Sequence, residues 1–186
     1  MHIPRFQFKK LESFTDNKII VIYGPRRVGK TTLLKKFLKN QKDYLFVTGE
    51  DLFIADTLSS QSLEQLKGFI GNKKLLVIDE AQYIPSIGKS LKLIVDHLDD
   101  LKIIVTGSST FDLTEQIGEP LTGRQHIIKL FPVAQIELKN IESSTQTQAL
   151  LEERLIYGSY PETLTLKDKV QKQEYLHELI SSYLIK

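Results

Sequence analysis

Residues Gly24 to Thr32 read Gly-Pro-Arg-Arg-Val-Gly-Lys-Thr-Thr, a complete G-x-x-x-x-G-K-[ST] pattern. An apolar, β-branched run, Lys18-Ile-Ile-Val-Ile-Tyr23, leads into it, and Leu33 to Leu38 leave it with helical periodicity. Strand, glycine turn and helix together make an anion nest: loop N–H groups point inward, and the positive end of the helix lies beneath them. Gly24 and Gly29 supply backbone angles that a β-carbon would resist, and Pro25, Arg26, Arg27 and Val28 complete the loop. Lys30 is expected to reach the β- and γ-phosphates of a nucleotide. The Thr31 hydroxyl is expected to hold Mg2+, and Thr32 closes the motif. Two roles stay open for Arg26 and Arg27, phosphate contact or a tie from the loop to Glu50 or Asp51, with the tie preferred.

The rest of the chain fits a sheet around that loop. Tyr44-Leu-Phe-Val-Thr48, Leu75-Leu-Val-Ile78, Lys102-Ile-Ile-Val-Thr106 and His126-Ile-Ile-Lys-Leu130 are further strand candidates. They alternate with helical stretches, which predicts a parallel sheet covered by helices on both faces. Residues 1–17 suggest a lead-in helix or arm. Ser62 is an N-cap for Leu63 to Ile70, Gly71-Asn72 stops that helix, and Leu91, Ile94, Val95 and Leu98 share one face of the next. A short helix is expected around Phe111 to Ile117, and a mainly helical stretch from Gln146 to the end, broken at Gly158-Ser159-Tyr160-Pro161. A polar stretch with Ser59, Ser60 and Ser62 follows Asp51, and Asn140 to Thr147, rich in Ser, Thr and Gln, reads as a mobile loop or equally as a simple surface turn.

Composition narrows the function classes. Lys and Arg number 25 against 23 Asp and Glu, a net charge of +2, which gives no general case for nucleic acid or an anionic membrane as partner. Lys35, Lys36, Lys39 and Lys42 are better read as the solvated face of a helix that buries Leu33, Leu34, Phe37 and Leu38. The absence of cysteine excludes disulfides, thiolate zinc sites and cysteine nucleophiles. Met1-His-Ile-Pro-Arg5 lacks the apolar centre of a signal peptide. The longest apolar runs are too short to cross a bilayer, so a cytoplasmic location is expected.

A phosphate loop alone implies binding. Hydrolysis needs more, and Leu75-Leu-Val-Ile-Asp79-Glu80 supplies it: four apolar residues, then two acids. Such a strand ends at the rim where the phosphate loop lies. Asp79 is expected to hold Mg2+, mostly through water, and Glu80 to polarise the water that attacks the γ-phosphate. The plainer alternative is a solvated acidic turn. Arg124, in Leu121-Thr-Gly-Arg124, precedes the last strand and is expected near the working edge of the sheet, where its guanidinium would stabilise transferring phosphoryl charge, in its own chain or a neighbour's. An ordinary surface arginine is the alternative.

Five segments carry a wider likeness: Gly24 to Thr32, Leu-Val-Ile-Asp-Glu-Ala-Gln at 76–82, Val-Thr-Gly-Ser-Ser at 105–109, Leu-Thr-Gly-Arg at 121–124 and Tyr-Gly-Ser-Tyr-Pro-Glu at 157–162. In their order and spacing the chain resembles the prokaryotic AAA-superfamily ATPases of the AAA_14 type. The resemblance implies a P-loop NTPase core, a three-layer α/β/α sandwich on a parallel five-stranded sheet of order 5-1-4-3-2, with ATP and Mg2+ as ligands. It implies that the strand ending at Thr106 lies between the phosphate-loop strand and the Asp-Glu strand. A polar side chain there would sense the γ-phosphate, Ser108 ahead of Thr106. Glu137 matches a family acid, and Ser159 replaces the second glycine of a family turn that begins at Gly158. Similar proteins continue much further. Residues 1–158 are therefore expected to be the ATPase core and 159–186 the start of a C-terminal helical region, shortened here or naturally short, with a second sensor arginine left to a missing piece.

The function these features predict is ATP binding and hydrolysis, with ATP and ADP as partners beside a homo-oligomer or a C-terminal domain. The alternatives are a nucleotide-regulated switch with little turnover and a nucleic-acid-associated ATPase. A small-molecule kinase shares the loop but lacks a visible acceptor site. No Asn-Lys-x-Asp guanine signature occurs, so adenine is preferred.

Overall fold

The computed structural model describes residues 3–14, 18–108, 117 and 121–183. The strands are β1 (Ile19–Tyr23), β2 (Tyr44–Thr48), β3 (Leu75–Asp79), β4 (Lys102–Gly107) and β5 (Gln125–Lys129). They form one parallel sheet in the order β2-β3-β4-β1-β5, which is the expected 5-1-4-3-2 order seen from the other edge. Register pairs Val21 with Val105 and Ile127, and Val77 with Phe46 and Ile104. Because every pairing is parallel, Tyr23, Asp79 and Gly107 all leave the sheet at the same rim.

The strands are apolar on both faces, as a sheet covered on both sides requires. Ile19, Val21, Leu76, Ile78, Ile103 and Val105 join one core cluster with helix residues Leu58, Leu66, Leu91 and Ile94. The alternate residues Ile20, Ile22, Leu75, Val77 and Ile104 are also buried and face the other way. Each such side chain removed from water contributes about 1.5–3 kcal/mol.

Helices α1 (Phe6–Ser13), α2 (Lys30–Leu38), α3 (Leu52–Ser59), α4 (Leu63–Ile70) and α5 (Ile87–His97) accompany the sheet. In α2, Leu33, Leu34, Phe37 and Leu38 are buried while Lys35 and Lys39 are exposed, as the lysine pattern predicted. The stretch after Asp51, read only as polar, holds α3, whose first turn is held by Asp51 Oδ1 accepting from Phe53 N (2.9 Å) and Ile54 N (3.2 Å). The helix expected around Phe111 to Ile117 lies outside the described residues, Ile117 excepted.

The chain divides into two compact units. The larger takes residues 7–26 and 30–130, and the smaller takes 1–6, 27–29 and 131–186. In the smaller unit the helices are α6 (Gln135–Leu138), α7 (Ser144–Ala149), α8 (Leu151–Tyr157) and α9 (Lys169–Tyr183). The loop expected over 140–147 is corrected by α7. Ser143 Oγ accepts from Gln146 N (3.2 Å) and Gln146 Oε1 from Ser143 N (2.8 Å), a reciprocal cap that starts a helix in polar sequence. Gly158, at φ 71°, ends α8, and Ser159 O accepts from Val133 N at 2.7 Å, so the replaced glycine leaves a bonded turn. Among the described residues no helix is long and apolar enough to cross a membrane.

Candidate functional site

Gly24 follows β1 directly. A β-carbon there would sit 1.8 Å from the Leu130 carbonyl oxygen, so only glycine lets the chain turn out of the sheet at this point. The loop runs on through Arg27 (φ 59°) and Gly29 (φ 96°) into α2, whose first residue is Lys30. Residues 27–29 belong to the smaller unit, and Lys30 returns the chain to the larger one.

Lys30 is 4% exposed. Its Nζ donates to the carbonyls of Gly24 (3.0 Å) and Pro25 (3.1 Å). An ammonium has three donors, and two of them are used among the described residues. Burial lowers the Lys30 pKa, and the nearby Glu80 and Asp79 carboxylates act against that by favouring the charged form. The lysine and the two acids therefore lie within electrostatic reach of one another at one rim.

Asp79, the last residue of β3, is buried. Its Oδ2 accepts from Thr31 Oγ1 at 2.8 Å, and its Oδ1 accepts from Thr106 Oγ1. A hydroxyl and a carboxylate so close together are hard oxygen donors. Mg2+ takes that set when water and phosphate oxygens complete its octahedron, so the residues fit the ion. Thr106, the second choice for sensing phosphate, is thereby committed to Asp79, and its Oγ1 also accepts from Glu80 N at 3.1 Å.

Glu80 has left-handed backbone angles, φ 50° and ψ 46°, and opens the 3-10 turn Ala81–Tyr83. Ser108 stands just past the end of β4. Its Oγ accepts from Gln82 Nε2 (3.0 Å) and Arg26 Nε (3.4 Å), and Arg26 Nη2 also donates to the Tyr83 hydroxyl (2.6 Å). Ser108, ahead of Thr106 in expectation, thus bridges the loop residue Arg26 and the Asp-Glu turn, beside the direct bond from Arg26 to Tyr83. Gln82 closes the 76–82 segment that carries part of the family likeness, though nothing in that segment assigned it a role, and Tyr83 carries no distinguishing sequence signal.

The family model for the AAA domain, of the AAA_14 type, matches residues 16–139. The chain belongs to the AAA domain family. One relative, an uncharacterised protein of Methanocaldococcus jannaschii (MJ1544), is 28% identical over 179 residues, covering 88% of this chain and 40% of its own length. The chain therefore spans less than half of that relative. A stretch of 31 residues is 58% identical to an uncharacterised ATP-binding protein, MJ0423, of the same organism, over 16% of this chain and 52% of that protein. The fold matches the Walker-type ATPase PABY2304 of Pyrococcus abyssi with a TM-score of 0.65 at 18% identity, over 99% of this chain and 74% of that one.

Not every expected residue of this AAA domain reaches the site. Arg124 immediately precedes β5, and its carbonyl accepts from Ile19 N (2.8 Å) at the start of β1. A parallel strand is entered at the rim opposite the one where the phosphate loop leaves. The expectation that Arg124 lies near the working edge is therefore corrected: its Nε donates to Asp96 Oδ1 at 2.9 Å in a surface ion pair. The tie from Arg26 and Arg27 to Glu50 or Asp51 is corrected too. Arg26 bonds Ser108 and Tyr83. Arg27, within the smaller unit, meets both Glu178 carboxylate oxygens (2.7 and 3.2 Å) and lies over the Tyr175 ring at 5.3 Å. Glu137 accepts from Arg5 Nε (3.2 Å), Phe6 N (2.9 Å) and Ala134 N (2.9 Å). Arg5 in turn donates to the Val28 carbonyl at 3.0 Å. Neither Arg5 nor the reach of Glu137 toward it stands out in the sequence.

Proposed function

We propose that this AAA domain binds ATP with Mg2+ and hydrolyses it. The loop residues Gly24 to Thr32 cradle the phosphates, and the third donor of Lys30 meets the β- and γ-phosphates. Thr31 and Asp79 hold the ion, which when bound offsets negative charge on the phosphate oxygens. Glu80 accepts a proton from water as the water oxygen bonds to the γ-phosphorus. The bond from that phosphorus to the bridging oxygen breaks, and ADP leaves. Ser108 senses the γ-phosphate. Catalysis is then positioning and charge stabilisation, with no covalent enzyme intermediate.

The observation that carries this reading is the Thr31–Asp79 hydrogen bond, with Glu80 next in the chain. The test is single-turnover hydrolysis by the parent chain and by Glu80→Gln. The variant is expected to bind ATP with parental affinity and to stall. Equal rates in the two proteins would remove the base assignment.

A nucleotide-dependent switch with slow turnover is the second reading. What favours it is that Arg27, a loop residue, is held by Glu178 of α9. A nucleic-acid partner draws no support from the net charge of +2.

A further inference from the structure

Gln82 stands at the centre of the turn Ala81–Tyr83. Its Nε2 donates to Glu80 Oε2 at 2.5 Å and to Ser108 Oγ at 3.0 Å. A side-chain amide has two N–H donors, and both are taken. An ionised carboxylate only accepts, so the nitrogen must be the end that faces Glu80. The other end, Gln82 Oε1, is buried without a hydrogen-bond partner among the described residues, and a buried acceptor of this kind calls for a donor.

The Glu80 backbone is already fixed from two sides. Its N–H is bonded to Thr106 Oγ1 (3.1 Å), and its carbonyl accepts from Tyr83 N (3.2 Å). Only its side chain is left to be ordered. A glutamate free to choose among rotamers spends little time in the one that a reaction needs. Gln82 removes that freedom with a neutral group. A lysine or arginine in its place would set a full opposite charge on the carboxylate and weaken it as a proton acceptor.

We propose that Gln82 is a positioning residue for hydrolysis: its amide holds Glu80 Oε2 against Ser108 and leaves Glu80 Oε1 to the attacking water. The proposal rests on Glu80 acting as the base. Ser108 and Glu80 then approach the γ-phosphate as one bonded unit, and a defect in their bridge slows the chemical step without loosening nucleotide.

The test is single-turnover hydrolysis at excess protein in the 186-residue chain, followed over hours, with ATP affinity titrated separately. Gln82→Met keeps the bulk and loses both donors, and Gln82→Ala serves if methionine disturbs the fold. Either substitution is expected to slow hydrolysis about tenfold or more while ATP affinity stays within about threefold. In a Glu80→Gln background the same substitution is expected to change nothing further, because the group it positions is already gone. Parental rates in both Gln82 variants, beside a stalled Glu80→Gln, would overturn this inference and leave the base assignment standing. An equal loss in both backgrounds, or a loss carried by affinity, would also overturn it. Undiminished hydrolysis in Glu80→Gln, or none in the parent, would instead remove the proposed function and this inference with it.

Discussion

Thr31 Oγ1 and Asp79 Oδ2 lie 2.8 Å apart, which joins the first turn of α2 to the C-terminal end of β3 by one hydrogen bond. The two residues are 48 positions apart in the chain. The parallel sheet brings the C-terminal ends of β1 and β3 to one rim, which sets the start of α2 beside Asp79. Thr31→Val keeps the shape of the side chain and removes its hydroxyl. Calorimetric titration of ATP in Mg2+ and in EDTA is expected to show tighter binding with Mg2+ in the parent by about tenfold, roughly 1.4 kcal/mol. In Thr31→Val most of that ratio is expected to vanish, while binding in EDTA is unchanged.

Lys30 is a buried cation whose pKa burial lowers, a cost to the empty protein that the proposed ligand role would explain. Lys30→Met is expected to keep or raise the melting temperature of the ligand-free protein and to abolish ATP binding. A lower melting temperature without ATP would mean that the lysine is there for the fold.

The Arg5–Glu137 pair is almost fully buried, with side-chain exposures of 9% and 2%. Glu137→Ala leaves the Arg5 guanidinium without its counter-charge, and breaking such a pair costs about 3–5 kcal/mol. Urea denaturation is expected to show a loss of that size. The Arg5→Met, Glu137→Met double substitution is expected to restore the part due to the unpaired charge, but not the part due to the Phe6 and Ala134 N–H groups that Glu137 accepts from.

Burial, aided by the Glu162 charge, pushes the Tyr175 hydroxyl up to about 12. The folded value lies above the ordinary one of about 10. The stability linked to this group is therefore whole below pH of about 10 and is lost as pH rises from there through about 12. Ultraviolet titration of tyrosinate is expected to show a late-ionising tyrosine that Tyr175→Phe removes. The variant is expected to lose less stability over that pH window.

Much of the fold was legible because its strands are short, largely apolar runs, the first four closed by glycine or acid and the last by Pro132. The phosphate loop and Asp79-Glu80 fix which ends of those strands meet. Where the sequence misled, the reasons are local. In α3, Leu52 and Phe53 are apolar yet 87% and 71% exposed, so no polar face marks the helix and only the Asp51 cap betrays it. The Ser-Thr-Gln composition of α7 resembles a loop, although the Ser143–Gln146 cap was there to be found. Arg124 was misplaced by its nearness to a strand. That strand is parallel to β1, so a residue entering it stands at the rim opposite the loop. The contacts of Gln82, Arg26 and Ser108 depend on side-chain geometry across three segments, which one sequence does not encode in any spacing.

The central claim is that Lys30, Thr31, Asp79 and Glu80 share one nucleotide and its metal. Melting temperature measured against ATP, GTP and ADP, each with and without Mg2+, tests it most directly. A ligand that binds only the native state at about a hundred times its Kd adds about 2.7 kcal/mol, worth several degrees in a chain of this size. ATP with Mg2+ is predicted to give the largest rise, with less when Mg2+ is withheld and none in Lys30→Ala. No rise with any nucleotide, or the same rise in Lys30→Ala as in the parent, would contradict the account.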